Sequence, residues 1–373
     1  MATQATSPET ITIDPAGLRA LVAAIFAACG SDAREAEEIA ERLTLANLTG
    51  HDSHGVVQVP RYVAGVRAGE VAVNRTPEVI ADGGAWLHLD AGLGFGQHAG
   101  AVAIREGIAR ARQHGVCMVA LKASGHLGRI GDWAEMAAEA GMVSLHLVNV
   151  TGCVWVAPFG GTQPRLSTNP IAAGVPRDNG AHVILDMATS VVAEGKLQVA
   201  AQRGETMDRP VAVRPDGTKT DDPLAIYGGQ LADQPALSPE APGAMLAFGG
   251  HKGAGLALIC ELLAGAMTGT GCARPEPEPA SNGMLSILID PGSTGMQAAM
   301  AAEVERYLSF FRSSAPEDPE RAVQLPGDPE RATRRMRERD GIPLPRATWE
   351  GLVRVAGELN VPSARIAAAR RGP

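Results

Sequence analysis

Gly94-Phe95-Gly96-Gln97-His98-Ala99 is the stretch on which the fold class turns. It fits G-x-G-x-x-A, follows a strand expected at Trp86 to Leu89, and opens a helix expected from Gln97 to His114. That is the setting of the dinucleotide fingerprint, whose glycines let a pyrophosphate approach the backbone at a helix N-terminus. The fingerprint also needs an acid to hold the ribose, about 20 residues further on, at the end of the next strand. Here that strand, Val116 to Lys122, runs into Lys122-Ala123-Ser124 and ends without an acid. The later strands lie across long loops rather than in a βαβαβ run. The chain reads as α/β, and the Rossmann reading fails at its second requirement.

Outward from this loop the periodicity supplies the other elements. Helix Ile130 to Ala140 stops at Gly141, and strands are expected at Met142 to Val150, Ile171 to Val175, Val183 to Asp186 and Met284 to Asp290. Long helices are expected at Val191 to Gln202 and His251 to Met267. Thr206 to Leu246, rich in Pro, Gly and Asp, has no period and reads as a surface excursion, and Gly271 to Asn282, with its PEPEP run, as a solvated loop. Toward the N-terminus, Asp14 can cap a helix whose first turn takes Pro15 and which Gly30 ends. Leu18, Leu21, Val22, Ile25, Phe26 and Cys29 form its apolar stripe. A second helix, capped by Ser31, runs to about Leu48 and stops at Gly50. After Pro291 the pattern is helical through Arg370. Helical ends around an α/β middle predict a discontinuous helical domain, 1–80 with 292–373, and an α/β domain, 81–291.

Composition bounds the function. The 373 residues exceed what one core usually serves. A net charge of −8 argues against a nucleic-acid partner, because phosphate binding needs a basic surface. The five cysteines have no CxxC spacing and sit mostly in apolar runs, which predicts reduced thiols and a cytoplasmic location. The N-terminal MATQATSPET has neither a basic region nor an apolar one, so no signal peptide is expected, and no run approaches the ~18 apolar residues of a membrane span.

Chemistry concentrates in His51-Asp52-Ser53-His54-Gly55, directly after the helix that stops at Gly50. An imidazole titrates near pH ~6.5 and can give or take a proton cheaply at neutral pH. A neighbouring hydroxyl and carboxylate can fix its tautomer and orientation. The plainer reading is a polar turn between two helices, with Ser53 as the N-cap of the second. His51 and His54 are three apart, but zinc wants three or four converging ligands, and His88, His98, His114, His146 and His182 show no ligand spacing, so no metal is expected. His126, beside the loop that follows Ser124, is better placed for function.

Read together with that pentapeptide, four further regions resemble the malate/L-lactate dehydrogenase type 2 family, NAD(P)-dependent oxidoreductases unrelated to the Rossmann lactate and malate dehydrogenases. They are Ser124 to Gly131 (SGHLGRIG), Ala157 to Gly161 (APFGG) with Arg165 to Pro170 (RLSTNP), Leu185 to Ser190 (LDMATS) and Gly250 to Gly255 (GHKGAG). Order and spacing match from about Leu18 to Gly357, and the late segments Leu325 to Glu330, Arg334-Arg335 and Gly341 to Leu344 resemble the bacterial hydroxycarboxylate dehydrogenase branch. The resemblance implies reversible hydride transfer between NAD or NADP and a 2-oxo acid or its 2-hydroxy acid. Relatives also reduce cyclic imino acids or oxidise ureidoglycolate. It further implies a large mixed β-sheet domain plus a helical domain built from both chain ends, usually in a homodimer. The Gly94 to Ala99 loop is then a structural turn.

Residue by residue, the resemblance makes His54 the proton donor, since hydride transfer to a ketone leaves an alkoxide needing a proton almost in step. It puts Ser53 and Asp186 in a hydrogen-bonded relay with His54, although Asp186 could equally cap the helix after Ala188. Gly128, Arg129 and Ile130 open a helix whose free amides suit cofactor phosphates. Thr168 and Asn169 match a cofactor loop, and Ile184, Leu185, Asp186, Met187 and Ala188 a second cofactor wall. His251, Asn282, Gly327, Asp328, Pro329 and Glu330 align with further cofactor positions, although Asp328-Pro329 is also a good helix start. Tyr62 matches a substrate position. Several relatives carry Arg four residues after the catalytic His, and this chain has Gln58, an amide without charge. Arg61 or Arg165 is then left to hold the substrate carboxylate, and 2-oxo acids with sizeable side chains are expected over small dianions. Two other classes compete. A metal-dependent hydrolase would need a metal or a nucleophile with an oxyanion hole, and a binding protein would have no use for the acid/base set.

Overall fold

The structure, a computed structural model, describes residues 10–227, 243–276 and 278–370. It begins with β1 (Thr10–Ile13), α1 (Pro15–Ala28) and α2 (Ala33–Leu48). Asp14 accepts the Gly17 amide at 2.7 Å, so α1 starts where its capping residue puts it. Two short 3-10 turns, Asp52–His54 and Val56–Gln58, lead into α3 (Val59–Arg67). Then come β2 (Glu78–Asp82), β3 (Trp86–Asp90), α4 (Gly96–His114), β4 (Val116–Ser124), α5 (Gly131–Glu139), β5 (Val143–Val150), β6 (Ile171–Val175) and β7 (Val183–Met187). α6 (Glu194–Arg203), the two-residue strands β8 (Ala212–Val213), β9 (Lys219–Thr220) and β10 (Ala244–Met245), and α7 (His251–Cys260) follow. A single π-turn, Glu261–Ala266, extends α7. The described chain closes with β11 (Asn282–Ile289), α8 (Gln297–Arg312), α9 (Asp328–Asp340), β12 (Ile342–Pro345), α10 (Arg346–Glu358) and α11 (Ser363–Ala369).

Seven strands make the main sheet, in the order β2-β3-β4-β11-β5-β6-β7. β3 and β4 run parallel, and each other neighbouring pair is antiparallel. A Rossmann sheet is built from parallel strands returned by helices. Here β11, from far along the chain, lies between β4 and β5, so the mixed, non-Rossmann sheet expected from the sequence is the one observed. The glycine loop serves packing. Gly94 accepts the Gly125 amide at 2.8 Å, and a Cβ on Gly96 would stand 2.2 Å from the His126 carbonyl oxygen. The turn before α4 thus lies directly on the loop after β4.

The sheet is covered on both sides. Val119, Leu121, Val148, Ala172, Met284 and Leu288 pack with α4 and α5, where Trp133 is wholly buried against Gly100. On the opposite face, Leu147 and Ile171 meet Cys260 and Ala264 of α7 and its π-turn. A separate apolar core joins the two chain ends: Leu18, Leu21, Ile25 and Phe26 of α1 pack with Ile342, Leu344, Trp349 and Leu352.

Several expectations need correction. Thr206 to Leu246 is not merely a surface excursion. Its described parts form the sheet β10-β8-β9 and bury Val211, Ala212, Ile226, Tyr227 and Met245 against Leu197 of α6, while 228–242 lie outside the described residues. The segment after Pro291 is not helical throughout, because β12 pairs antiparallel with β1, Ile13 opposite Ile342. β2 was not anticipated. Of the Gly271 to Asn282 loop, Pro277 lies outside the described residues, while Asn282 is buried as the first residue of β11.

Candidate active site

The His51 to Gly55 turn is held by two neighbours that carry no acid/base function. Asn47 of α2 donates to Asp52 at 2.6 Å and accepts the Val56 amide at 2.8 Å. Arg337 of α9 grips the same Asp52 carboxylate at 2.7 and 3.0 Å. A Cβ on Gly55 would lie 2.2 Å from Asn47 Oδ1, so glycine is required there. Asp52 is therefore a structural staple. His51 Nε2 is 3.4 Å from Glu330 Oε1, and this contact with the imidazole holds the Glu330 carboxyl below its usual range. Among the described residues, His54 is left as the imidazole of this turn without a hydrogen bond.

His54 stacks on His126, ring centroids 5.5 Å apart and planes tilted by 21°. Its Nδ1 is enclosed and unpaired within the described residues, so Nε2 is the accessible nitrogen. Burial drives the His54 pKa down to about 4. Asp186 pulls it upward, while His51 and Arg129 push it further down. His126 Nδ1 lies 2.6 Å from Tyr62 Oη, which accepts from Gln97 Nε2 at 2.9 Å. Burial and the neighbouring His54 also hold His126 well below its ordinary value. Both rings are neutral at neutral pH. In that form each imidazole can accept a proton, and burial makes it a weaker base than a free one.

Beyond His54, the β4–α5 loop is locked to the end of β7. Gly128 has φ +72, and Arg129 after it is 2% exposed. The Arg129 guanidinium meets Asp132 at 2.9 Å, Glu135 at 2.8 Å and Asp186 at 3.7 Å, and the Gly131 amide donates to Asp186 at 2.9 Å. Burial raises Asp132 to about 6 despite that cation. A wholly buried arginine persists only with such compensation. Ile130, also buried, is the residue before α5. The amides of Gly128, Arg129 and Ile130 donate to no group of the described residues. Asn282 fixes this loop from below, accepting the Leu127 amide at 2.9 Å.

Sequence comparison now decides the family, because a malate/L-lactate dehydrogenase model matches residues 13–353. The chain belongs to that family. Hydroxycarboxylate dehydrogenase B of Escherichia coli K12 is 37% identical over 361 residues, covering 95% of this chain and 96% of the relative. L-lactate dehydrogenase of Cupriavidus necator is 36% identical over 348 residues, covering 92% and 96%. The solved structure of a putative malate/lactate dehydrogenase from E. coli superposes with a TM-score of 0.87 at 35% identity, covering 96% of this chain and 98% of the other. This malate/L-lactate dehydrogenase family member is accordingly a hydroxy acid dehydrogenase, an oxidoreductase acting on a CH–OH group, and a small hydroxy acid is its substrate class.

Several of the residues expected to hold a pyridine nucleotide in this dehydrogenase do come together. Thr168 accepts both the amide and the hydroxyl of Thr189 at 2.9 Å, which sets it beside Ile184 to Ala188. Ile184 donates to Pro326 at 3.1 Å, and Glu330 faces His51, so the Gly327 to Glu330 turn borders the same region. The Asp328 carboxylate is taken by Arg312 and Arg331, and Pro329 opens α9. Others point elsewhere. Asn169 donates to Ala257 and Glu261, behind the sheet. His251 lies edge-on to the exposed Phe159. Arg165 turns onto its own loop, 2.7 Å from the Pro164 carbonyl oxygen and 2.8 Å from Gln163. Gln58 donates to the Ser53 carbonyl at 2.8 Å. No hydrogen bond joins Ser53, His54 and Asp186. Ser53 instead packs against Gly195, where a Cβ would stand 2.9 Å away.

Sequence reading left Gln97 and Glu194 unmarked. Gln97 sits inside the glycine loop itself, a signal that was available. Glu194, bonded to Tyr227 Oη at 2.8 Å, follows an irregular stretch and carried none. Among the described residues no group of three or more His, Cys, Asp or Glu side chains gathers as a metal site requires, and no helix is long and apolar enough to cross a membrane.

Proposed function

We propose that the chain interconverts 2-hydroxy acids and 2-oxo acids, with NAD or NADP lying along the Gly128–Ile130 loop, Thr168 and Ile184–Ala188, as a cytoplasmic homodimer. His54 is the acid/base, and the observation that carries this is its imidazole: unpaired, half-buried and open at Nε2. The unpaired amides of Gly128, Arg129 and Ile130, at the positive end of α5, fit the phosphates of such a cofactor. Once bound, the nicotinamide supplies or accepts the hydride. His54 takes the hydroxyl proton at Nε2 during oxidation and returns it to the forming alkoxide during reduction. His126, fixed by Tyr62 and Gln97, is the surface on which the His54 ring is stacked, and it limits how far that ring can turn. Asp186, lodged between Gly131 and Arg129, acts on His54 through its charge and stabilises the imidazolium.

Replacing His54 with Ala tests this. It should lower kcat by at least ~10²-fold, as expected for loss of a general acid/base, with cofactor affinity nearly unchanged. Near-normal turnover of a 2-hydroxy acid by the folded variant would exclude the role.

A further inference from the structure

We infer that Arg61 is the cation that receives the substrate carboxylate, an inference that rests on the hydroxy acid reaction proposed above. In a 2-hydroxy acid the carboxylate is bonded directly to the reacting carbon, so its partner must share the small space around His54. An unpaired carboxylate in a site drained of water loses its hydration without compensation, so a charged partner is needed.

The other arginines bordering the site are already engaged. Arg129 is held by Asp132, Glu135 and Asp186. Arg337 is bidentate on Asp52. Arg331 serves Asp328 and the His182 carbonyl. Arg165 is folded onto Pro164 and Gln163. Gln58 is turned inward to Ser53, and an amide brings no charge in any case.

Arg61 differs from all of these. It is exposed, on α3, directly before the Tyr62 whose hydroxyl meets His126. Within the described residues it has no hydrogen bond and no ion pair. Its charge acts on Tyr62, His126, Cys153 and Glu194. Arg129 and Asp186 act on His54. The charge of Arg61, on α3, thus reaches His126, while Asp186 and Arg129 reach the His54 ring stacked on it. A guanidinium there offers the planar fork that matches a carboxylate. Glu194, whose carboxylate accepts from Tyr227 Oη, directly precedes the Gly195 that packs against Ser53. A second carboxylate on the substrate would meet that acid, so the site suits monocarboxylates.

The test uses oxamate, an unreactive carboxylate shaped like pyruvate, titrated calorimetrically into the full chain with and without reduced cofactor. Arg61→Ala should weaken oxamate by about 10–100-fold, the usual value of a charge-assisted hydrogen-bonded pair. Arg61→Lys, which keeps the charge and loses the fork, should fall between, and Arg165→Ala should bind like the unaltered chain. Adding Gln58→Arg to Arg61→Ala should restore binding. With pyruvate as probe, KM should rise far more than kcat falls, because a carboxylate contact is made equally in ground and transition states. Oxamate bound equally well by Arg61→Ala, or not bound by the unaltered chain, overturns the assignment. Arg61-dependent oxamate binding without turnover of any 2-oxo acid would keep Arg61 and remove the proposed reaction instead.

Discussion

A single imidazole sets the expected pH behaviour. His54 sits at about 4 in the folded chain because burial disfavours its charged form. Oxidation needs the neutral ring, so its kcat/KM should stay level between pH 5 and 8. Reduction needs the imidazolium, so its kcat/KM should rise about tenfold per unit as the pH falls through that window, the profile of a required acid above its pKa. Initial rates with 2-oxo acid across pH 5 to 8 check this, and a flat reduction profile would show that the proton comes from elsewhere. The same depression has a stability sign. An unfolded histidine titrates near ~6.5, so below that pH the unfolded chain binds protons the folded one refuses. His54, and His146 at about 3, therefore withdraw stability as the pH falls from ~6.5 toward their folded values. At this scale the sequence marked His54 and the Gln58 departure. The work of Asp52 was hidden, because the Arg337 that grips its carboxylate comes from α9, at the other end of the chain.

Elements were legible where they were long and periodic. α4, β4, β5 and β7 fall within a residue or two of their expected bounds, because each buries an alternating or helical apolar face. β2 escaped because all five of its residues are exposed and its register slips between Val79 and Ala81, leaving no alternation to read. β8, β9 and β10 are two residues each, too short to carry a period. The missing acid after β4 mattered more than the glycines before α4, and the junction of these two elements offers a test. A methyl on Gly96 would meet the His126 carbonyl at 2.2 Å and the Gly125 oxygen at 2.6 Å, and backbone cannot yield as a side-chain tip does. Gly96→Ala should cost about 1–3 kcal/mol, the usual range for overpacking. It should also lower kcat by displacing His126 from beside His54, while cofactor affinity stays unchanged. Denaturant unfolding and cofactor titration measure the two effects. Unchanged stability with weakened cofactor binding would mean that the glycine loop is a phosphate cradle after all.

Across the whole molecule, one chain leaves apolar surface that a soluble monomer would rarely keep. Leu256, Leu258, Ile259 and Leu262, on α7 and its π-turn, are 38 to 51% exposed. Leu145 and Leu185 are exposed on the strands facing that side, and α8 buries no side chain at all. Large contiguous apolar patches mark association surfaces. A second copy of this chain is the proposed occupant, since a twofold contact covers the same patch on both partners. A stable dimer buries about 800 Å² per partner, and its centre tolerates no unpaired charge. Leu258→Asp with Ile259→Asp should therefore convert a dimer to a monomer in light scattering coupled to gel filtration. Because Leu258 and Ile259 are solvent-exposed in the single chain, its circular dichroism should persist in the variant. A single-chain mass for the unaltered protein at high micromolar concentration, or an unaltered dimer in the double variant, would place the contact elsewhere or remove it.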